Sequence, residues 1–136
     1  MDIDQARDFI EANQRGILLT HRSDGGPQMS PIVAGVDSDG YVVVSSRETA
    51  YKVKNLRRDP RASVCMFTDG FYGGWVQIDG VAEIVSLPEA MDALIDYYRL
   101  LSGEHPDWDD YRAAMREERR VLIRISPDRA GPTRSG

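Results

Sequence analysis

The sequence is short of the residues that most catalytic chemistry needs. Its single cysteine, Cys65, excludes an intramolecular disulfide and any zinc site built from several thiolates. Its two histidines, His21 and His105, stand in no recognisable motif. No HExxH, GxSxG, Walker A or GxGxxG pattern is present, which leaves zinc-protease, serine-hydrolase and phosphate-loop chemistry without support. No apolar run approaches the roughly 18 residues that a membrane span requires. The opening Met1-Asp2-Ile3-Asp4 is acidic and has no basic segment ahead of an apolar one, unlike a signal peptide. The expectation is a cytoplasmic protein with no membrane partner. Lysine is scarce as well: Lys52 and Lys54 are the only two, and every other cation is arginine. The net charge of −5 argues against a general nucleic-acid binder.

What is present fits one globular domain. The chain has 136 residues, 41% apolar and 29% charged. A domain of this length buries enough surface to need no metal or disulfide staple. Residues 1–126 read as that domain. The Pro-, Gly-, Arg- and Ser-rich stretch 127–136 reads as a loose tail.

Apolar periodicity gives the elements. Asp4 to Asn13 has helical spacing at Ile3, Ala6, Phe9 and Ile10, with Asp2 or Asp4 as cap and Gly16 as terminator. Strands follow at 17–21, 27–36 and 41–45, separated by turns at Ser23–Gly26 and Asp37–Gly40. Pro31 inside the second of these demands an edge or a bulge. A short helix starting at Glu48 or Thr49 runs to Arg58, where Asp59-Pro60 stops it. Strands at 62–67 and 75–87 flank a Gly-rich loop. Pro88 suits the start of a helix reaching about Leu101. A helix capped by Asp107 or Asp109 reaches about Glu118, and a strand at 121–125 closes the pattern. Meandering short strands without regular βα alternation predict a mainly β fold, an antiparallel barrel with helices over its openings.

Few residues offer chemistry. His105 in a Gly-Glu-His-Pro loop reads as structural. Cys65, alternating within a strand, reads as a buried inert thiol. Glu104, Asp107, Asp109 and Asp110 suit either a hard cation or the N-terminal end of a helix, and capping is the simpler reading. The basic stretch is different. Ser45, Ser46 and Arg47 lead from a strand end into a helix carrying Lys52, Lys54, Arg57 and Arg58. Hydroxyls, free helix N–H groups and an ammonium together suit a phosphate. A solvated basic helix face would look the same. Position separates the cations in part: Lys52 lies near the helix start, whereas Arg57 and Arg58 lie near its end, where cations favour the dipole without any ligand.

The run Tyr51-Lys52-Val53-Lys54-Asn55-Leu56-Arg57-Arg58-Asp59-Pro60-Arg61-Ala62-Ser63 resembles a hallmark of the pyridoxamine 5′-phosphate oxidase-like split β-barrels, and in particular their actinobacterial deazaflavin-dependent branch. Gly25-Gly26-Pro27-Gln28-Met29-Ser30-Pro31, Asp79-Gly80-Val81-Ala82-Glu83-Ile84 and Leu94 through Ile125, with Ser102 to Tyr111 and Arg119-Arg120-Val121-Leu122 inside it, agree with it. The resemblance implies a six-stranded antiparallel split β-barrel of the FMN-binding type, working as a homodimer with cofactor sites between the subunits. It implies an oxidoreductase that passes a hydride from coenzyme F420 to a small unsaturated or heteroaromatic acceptor. FMN is the alternative cofactor, and a non-catalytic cofactor-, haem- or fatty-acid-binding protein the alternative role. By resemblance, Gln28, Met29, Ser30, Pro31 and Ile32 line the ring. Ser45, Ser46 and Arg47 flank the phosphate, Lys52 binds it, and Trp75 arrives from the partner chain. Arg120 is a further interface candidate. Relatives often carry arginine where this chain has Ala50, so Arg47 or Lys54 is expected to replace it.

Overall fold

In the computed structural model, which describes residues 1–70 and 72–131, the chain builds one curled antiparallel sheet with four helices. The elements are α1 (Ile3–Ala12), β1 (Arg15–His21), β2 (Pro27–Val33), β3 (Gly35–Val36), β4 (Val42–Arg47), α2 (Tyr51–Arg58), β5 (Arg61–Phe67), β6 (Trp75–Val85), α3 (Met91–Ser102), α4 (Trp108–Glu117) and β7 (Arg120–Ala130).

The strand order is β2-β1-β5-β6-β7-β4-β3. Its two ends, β2 and β3, are consecutive pieces of one chain segment joined through Ala34. The sheet therefore curls until its first and last strands meet. Taken as one bent strand, β2 and β3 reduce the seven strands to the six of a split barrel. The Tyr97 hydroxyl donates to the Val33 carbonyl at this seam, at 2.7 Å. Pro31 pairs only with Ile17 of β1, so its missing N–H faces the sheet's free edge.

Alternation along the strands sends Leu18, Val44, Val64, Met66, Ile78 and Ile123 inward as the barrel core. Ala6 and Ile10 of α1 and Val53 and Leu56 of α2 pack into the same core, so these two helices fill the barrel's openings. The other face of β4 and β7 holds Val43 and Leu122 against Leu94 and Ile95 of α3 and Tyr111 and Met115 of α4. Asp2 caps α1 in a capping box with Gln5, and Asp107 caps α4. Glu104 accepts from the Trp108 indole and pairs with Arg99, so the acidic cluster is capping and pairing. No group of metal-binding side chains occurs among the described residues. His105 sits in a cluster of rings with Tyr98, Trp108 and Tyr111, a structural position.

Several boundaries shift by a residue or more from the sequence reading, and two of the differences bear on the architecture. The last strand does not end at Ile125: β7 continues to Ala130 and pairs with β6 as far as Ile78↔Ala130. A register shift at Asp79/Gly80 absorbs one extra residue around Asp128, which admits Pro127 into the ladder. Gly80 is required there, because a Cβ would strike the Ser126 carbonyl. The rest of the expected loose tail, 132–136, lies outside the described residues. Pro88 does not open α3. It lies in a turn, and the helix begins at Met91.

Candidate functional site

β4 ends at Arg47, and after the three residues 48–50 the chain enters α2 at Tyr51. The N-cap of α2 is Ala50, which supplies no side-chain bond to the first turn. Lys52, in that turn, is half-buried, and no carboxylate pairs with it among the described residues. Burial pushes its ammonium below the ordinary lysine value, and the Arg120 guanidinium nearby adds to the shift. Of these two cations Arg120 is paired with Glu118, whereas Lys52 has no carboxylate partner among the described residues.

The other basic residues of the stretch are committed elsewhere. Arg57 donates to Glu48 at 2.7 Å and to the Ser86 hydroxyl at 2.9 Å. Arg58 donates to the Asn55 side-chain carbonyl and to the His21 backbone carbonyl. Lys54 is exposed, with its ammonium 5.6 Å from the centre of the Tyr51 ring. It shares no pairing with Lys52. Arg47 is exposed and pairs with Glu118 at 3.1 Å, and Arg120 is held by the same carboxylate at 2.9 Å. Strand alternation puts Ser45 and Arg47 on the α3/α4 side, while Ser46 is buried among the barrel interior.

On β2 the five expected ring-lining residues separate onto two faces. Gln28 and Ser30 are half-buried, and Ile32 belongs to the barrel core. Met29, 64% exposed, and Pro31 point the opposite way. The Gln28 carbonyl oxygen accepts from Asn55 at 2.9 Å. Asn55 also donates to Thr20, at 3.1 Å. This buried polar group ties α2 to β1 and β2. The sequence assigned no role to Asn55. Its position on the inward face of α2, beside Val53 and Leu56, was the available signal.

Met29 and Pro31 belong to a broad uncovered face. The registers align Met29 with Leu19 and Ser63, and Pro31 with Ile17 and Cys65. Phe67 and Trp75 pair at its far side. Trp75 and Cys65 are half-buried, and burial pushes the Cys65 thiol up. The four helices pack at the barrel openings and on the opposite side of β4 and β7, so they leave this face open.

Comparison with known proteins places the fold. A conserved hypothetical protein of Mycobacterium tuberculosis is 29% identical, with a TM-score of 0.77 over 96% of this chain and 82% of its own. An F420 reductase is 22% identical, with a TM-score of 0.68 over 92% of this chain and 94% of its own. A haem-binding protein of Mycobacterium smegmatis is 22% identical, with a TM-score of 0.71 over 97% of this chain but 55% of its own length. At these lower identities the likeness is one of fold. The pyridoxamine 5′-phosphate oxidase family model matches residues 3–133, and the chain belongs to that family.

Proposed function

We propose that the protein is an oxidoreductase using a flavin-type cofactor, coenzyme F420, to reduce a small unsaturated or heteroaromatic acceptor. The observation that carries this reading is Lys52, a half-buried ammonium without a carboxylate partner, beside Arg120 at the start of a helix with no side-chain cap. A phosphate ester there would restore charge balance and accept from the free N–H groups of the first turn. The chain's membership of a cofactor-using family supports the same reading. FMN, which shares the phosphate, is the alternative occupant.

The cofactor, when bound, supplies the hydride chemistry. The protein's part is binding and orientation. Lys52 and the α2 N-terminus hold the phosphate. The Asn55–Gln28 bond fixes β2 relative to α2 and thus sets the distance between anchor and ring-binding strand. Met29, Pro31 and Trp75 offer apolar surface for a flat ring. These three lie on the uncovered face, which also carries Phe67 at 36% exposure. The face is apolar at Met29, Pro31, Phe67 and Trp75 and polar at Ser63, Gln77 and Asp79, a mixed composition common to interaction surfaces, and the occupant we assign is a second copy of the chain. The ring site is then completed between subunits. No acid–base residue is assigned a role.

Fluorescence titration with F420 and with FMN tests the anchor. Lys52→Gln should weaken binding roughly 10- to 100-fold, as for loss of a charge-assisted hydrogen bond worth about 1.5–3 kcal/mol. Equal affinity in wild type and variant would remove Lys52 from the site. Light scattering tests the assembly: the wild type should be dimeric and Phe67→Glu monomeric.

A further inference from the structure

The split in this barrel has a definite starting point. The Asp37 N–H donates to the Tyr41 carbonyl at 2.9 Å, and Gly35 pairs with Val43 in the same register. Bonded pairs in an antiparallel ladder recur every second residue. Val33 and Ser45 are the next pair due to bond, and both are turned for it. The Ala34 N–H donates to the Gln14 carbonyl on the β1 side, so the backbone groups of Val33 face β4. The Glu48 N–H donates to the Arg119 carbonyl in the β4–β7 register, so those of Ser45 face β2. The pair does not form: among the described residues no ladder joins β2 to β4.

A side chain takes its place. Tyr97 comes from α3, which Leu94 and Ile95 hold against β4 and β7. Its hydroxyl donates to the Val33 carbonyl at 2.7 Å. Burial pushes its phenol above the ordinary value, and the nearby Ser45 N–H and Arg120 guanidinium oppose that shift. The hydroxyl thus lies between the Val33 carbonyl and the Ser45 N–H. An oxygen interposed between donor and acceptor roughly doubles their separation. Past this point the edges stay apart. Pro31 on β2 and Arg47 on β4, the next pair in the same register, share no ladder bond.

We propose that Tyr97 is the positioning residue of the split: its hydroxyl parts β2 from β4 and ties them at a fixed spacing, which sets the ring-binding strand against the phosphate end of the site. This role rests on the site proposed above, with the ring on β2 and the phosphate at Lys52. Met29 and Pro31 follow the bridge on β2, and Arg47 and the start of α2 follow it on β4. Closure of the barrel alone does not call for the hydroxyl, because Val33 and Ser45 carry their own acceptor and donor. A cofactor that spans both strands gains affinity only if the two are held at the right distance.

Amide hydrogen exchange and fluorescence titration of the whole chain test this role. Tyr97→Phe keeps the ring and unties the strands. Before any cofactor is added, exchange at Ser45 should rise about tenfold or more, as for a local opening. Val44, whose backbone faces β7, should keep its rate. Affinity for the cofactor, F420 or FMN, should fall about three- to tenfold, as for one lost hydrogen bond. Tyr111→Phe removes a comparable bond to α3, from the Tyr111 hydroxyl to the Leu94 carbonyl at 2.8 Å, and should change neither readout. Lys52→Gln should lose cofactor affinity and keep the Ser45 rate. Unchanged Ser45 exchange or unchanged affinity in Tyr97→Phe, with Lys52→Gln still weakened, overturns the role of Tyr97 and leaves the Lys52 reading standing. Equal changes in Tyr111→Phe reduce Tyr97 to a stabilising contact and overturn it as well. A wild type that binds neither F420 nor FMN removes the cofactor site, and the positioning role with it.

Discussion

Asn55 offers the sharpest test of how this barrel holds its candidate site together. Its side chain is 5% exposed and makes three polar contacts: donors to Gln28 at 2.9 Å and Thr20 at 3.1 Å, and an acceptor from Arg58 at 2.9 Å. Asn55→Leu keeps the volume and removes all three. Arg58 is exposed and retains the His21 carbonyl, so its loss is offset by water. Thr20 is fully buried and keeps only the long 3.5 Å bond its hydroxyl donates to the Gln28 carbonyl oxygen, so the lost donor is not replaced there. Two net hydrogen bonds at about 1 kcal/mol each, plus part of a desolvation penalty at Thr20, give a loss of about 2–3 kcal/mol. At roughly 4 °C per kcal/mol for a domain of this size, Tm should fall by about 8–12 °C. Urea denaturation of wild type, Asn55→Leu, Gln28→Leu and the double variant should return a coupling near 1 kcal/mol. A total loss below about 0.5 kcal/mol, or additive single losses, would refute the assignment of α2's attachment to this network. Val53 and Leu56 still anchor the helix in the variant, so the fold should persist and the effect should be measurable.

Other outcomes follow from single contacts. Gly80→Ala forces a Cβ against the Ser126 carbonyl of β7 and should cost about 1–3 kcal/mol, read from the urea midpoint. Tyr111 is pushed up to about 12, first by burial, and its hydroxyl donates to the Leu94 carbonyl at 2.8 Å. A folded-state value raised above the ordinary 10.0 favours the native state fully below that value. That contribution is lost as pH rises through about 12. Absorbance titration at alkaline pH should show late phenol ionisation, and Tyr111→Phe should reduce its amplitude by one tyrosine while leaving that of Tyr97, which burial also raises. The Cys65 thiol, raised by burial, should alkylate more slowly at neutral pH than a free thiol, and unfolding in urea should abolish the difference.

Local chemistry by itself determined much of this protein. The β-branched run at 42–44, the Asp2 cap, the Asp59-Pro60 stop and the Gly25 turn each act within a few residues, and all appear where the sequence places them. Helix position also sets Lys52, near the start of α2, apart from Arg57 and Arg58 near its end; the structure bonds the two arginines to Glu48, Ser86, Asn55 and His21 and shows no carboxylate partner for Lys52 among the described residues. Tertiary structure decided the rest. A period of two assigns residues 28–32 to alternate faces, but only closure of the sheet decides which face is inward, and that choice commits Ile32 to the core and exposes Met29. Pro127 reads as a strand breaker until the shift at Asp79/Gly80 gives it a place in the ladder. Tyr97 meets the Val33 carbonyl only because the packing of α3 on β4 and β7 brings its hydroxyl to the seam. Contacts between residues tens of positions apart depend on how the layers stack, and no local pattern encodes that stacking.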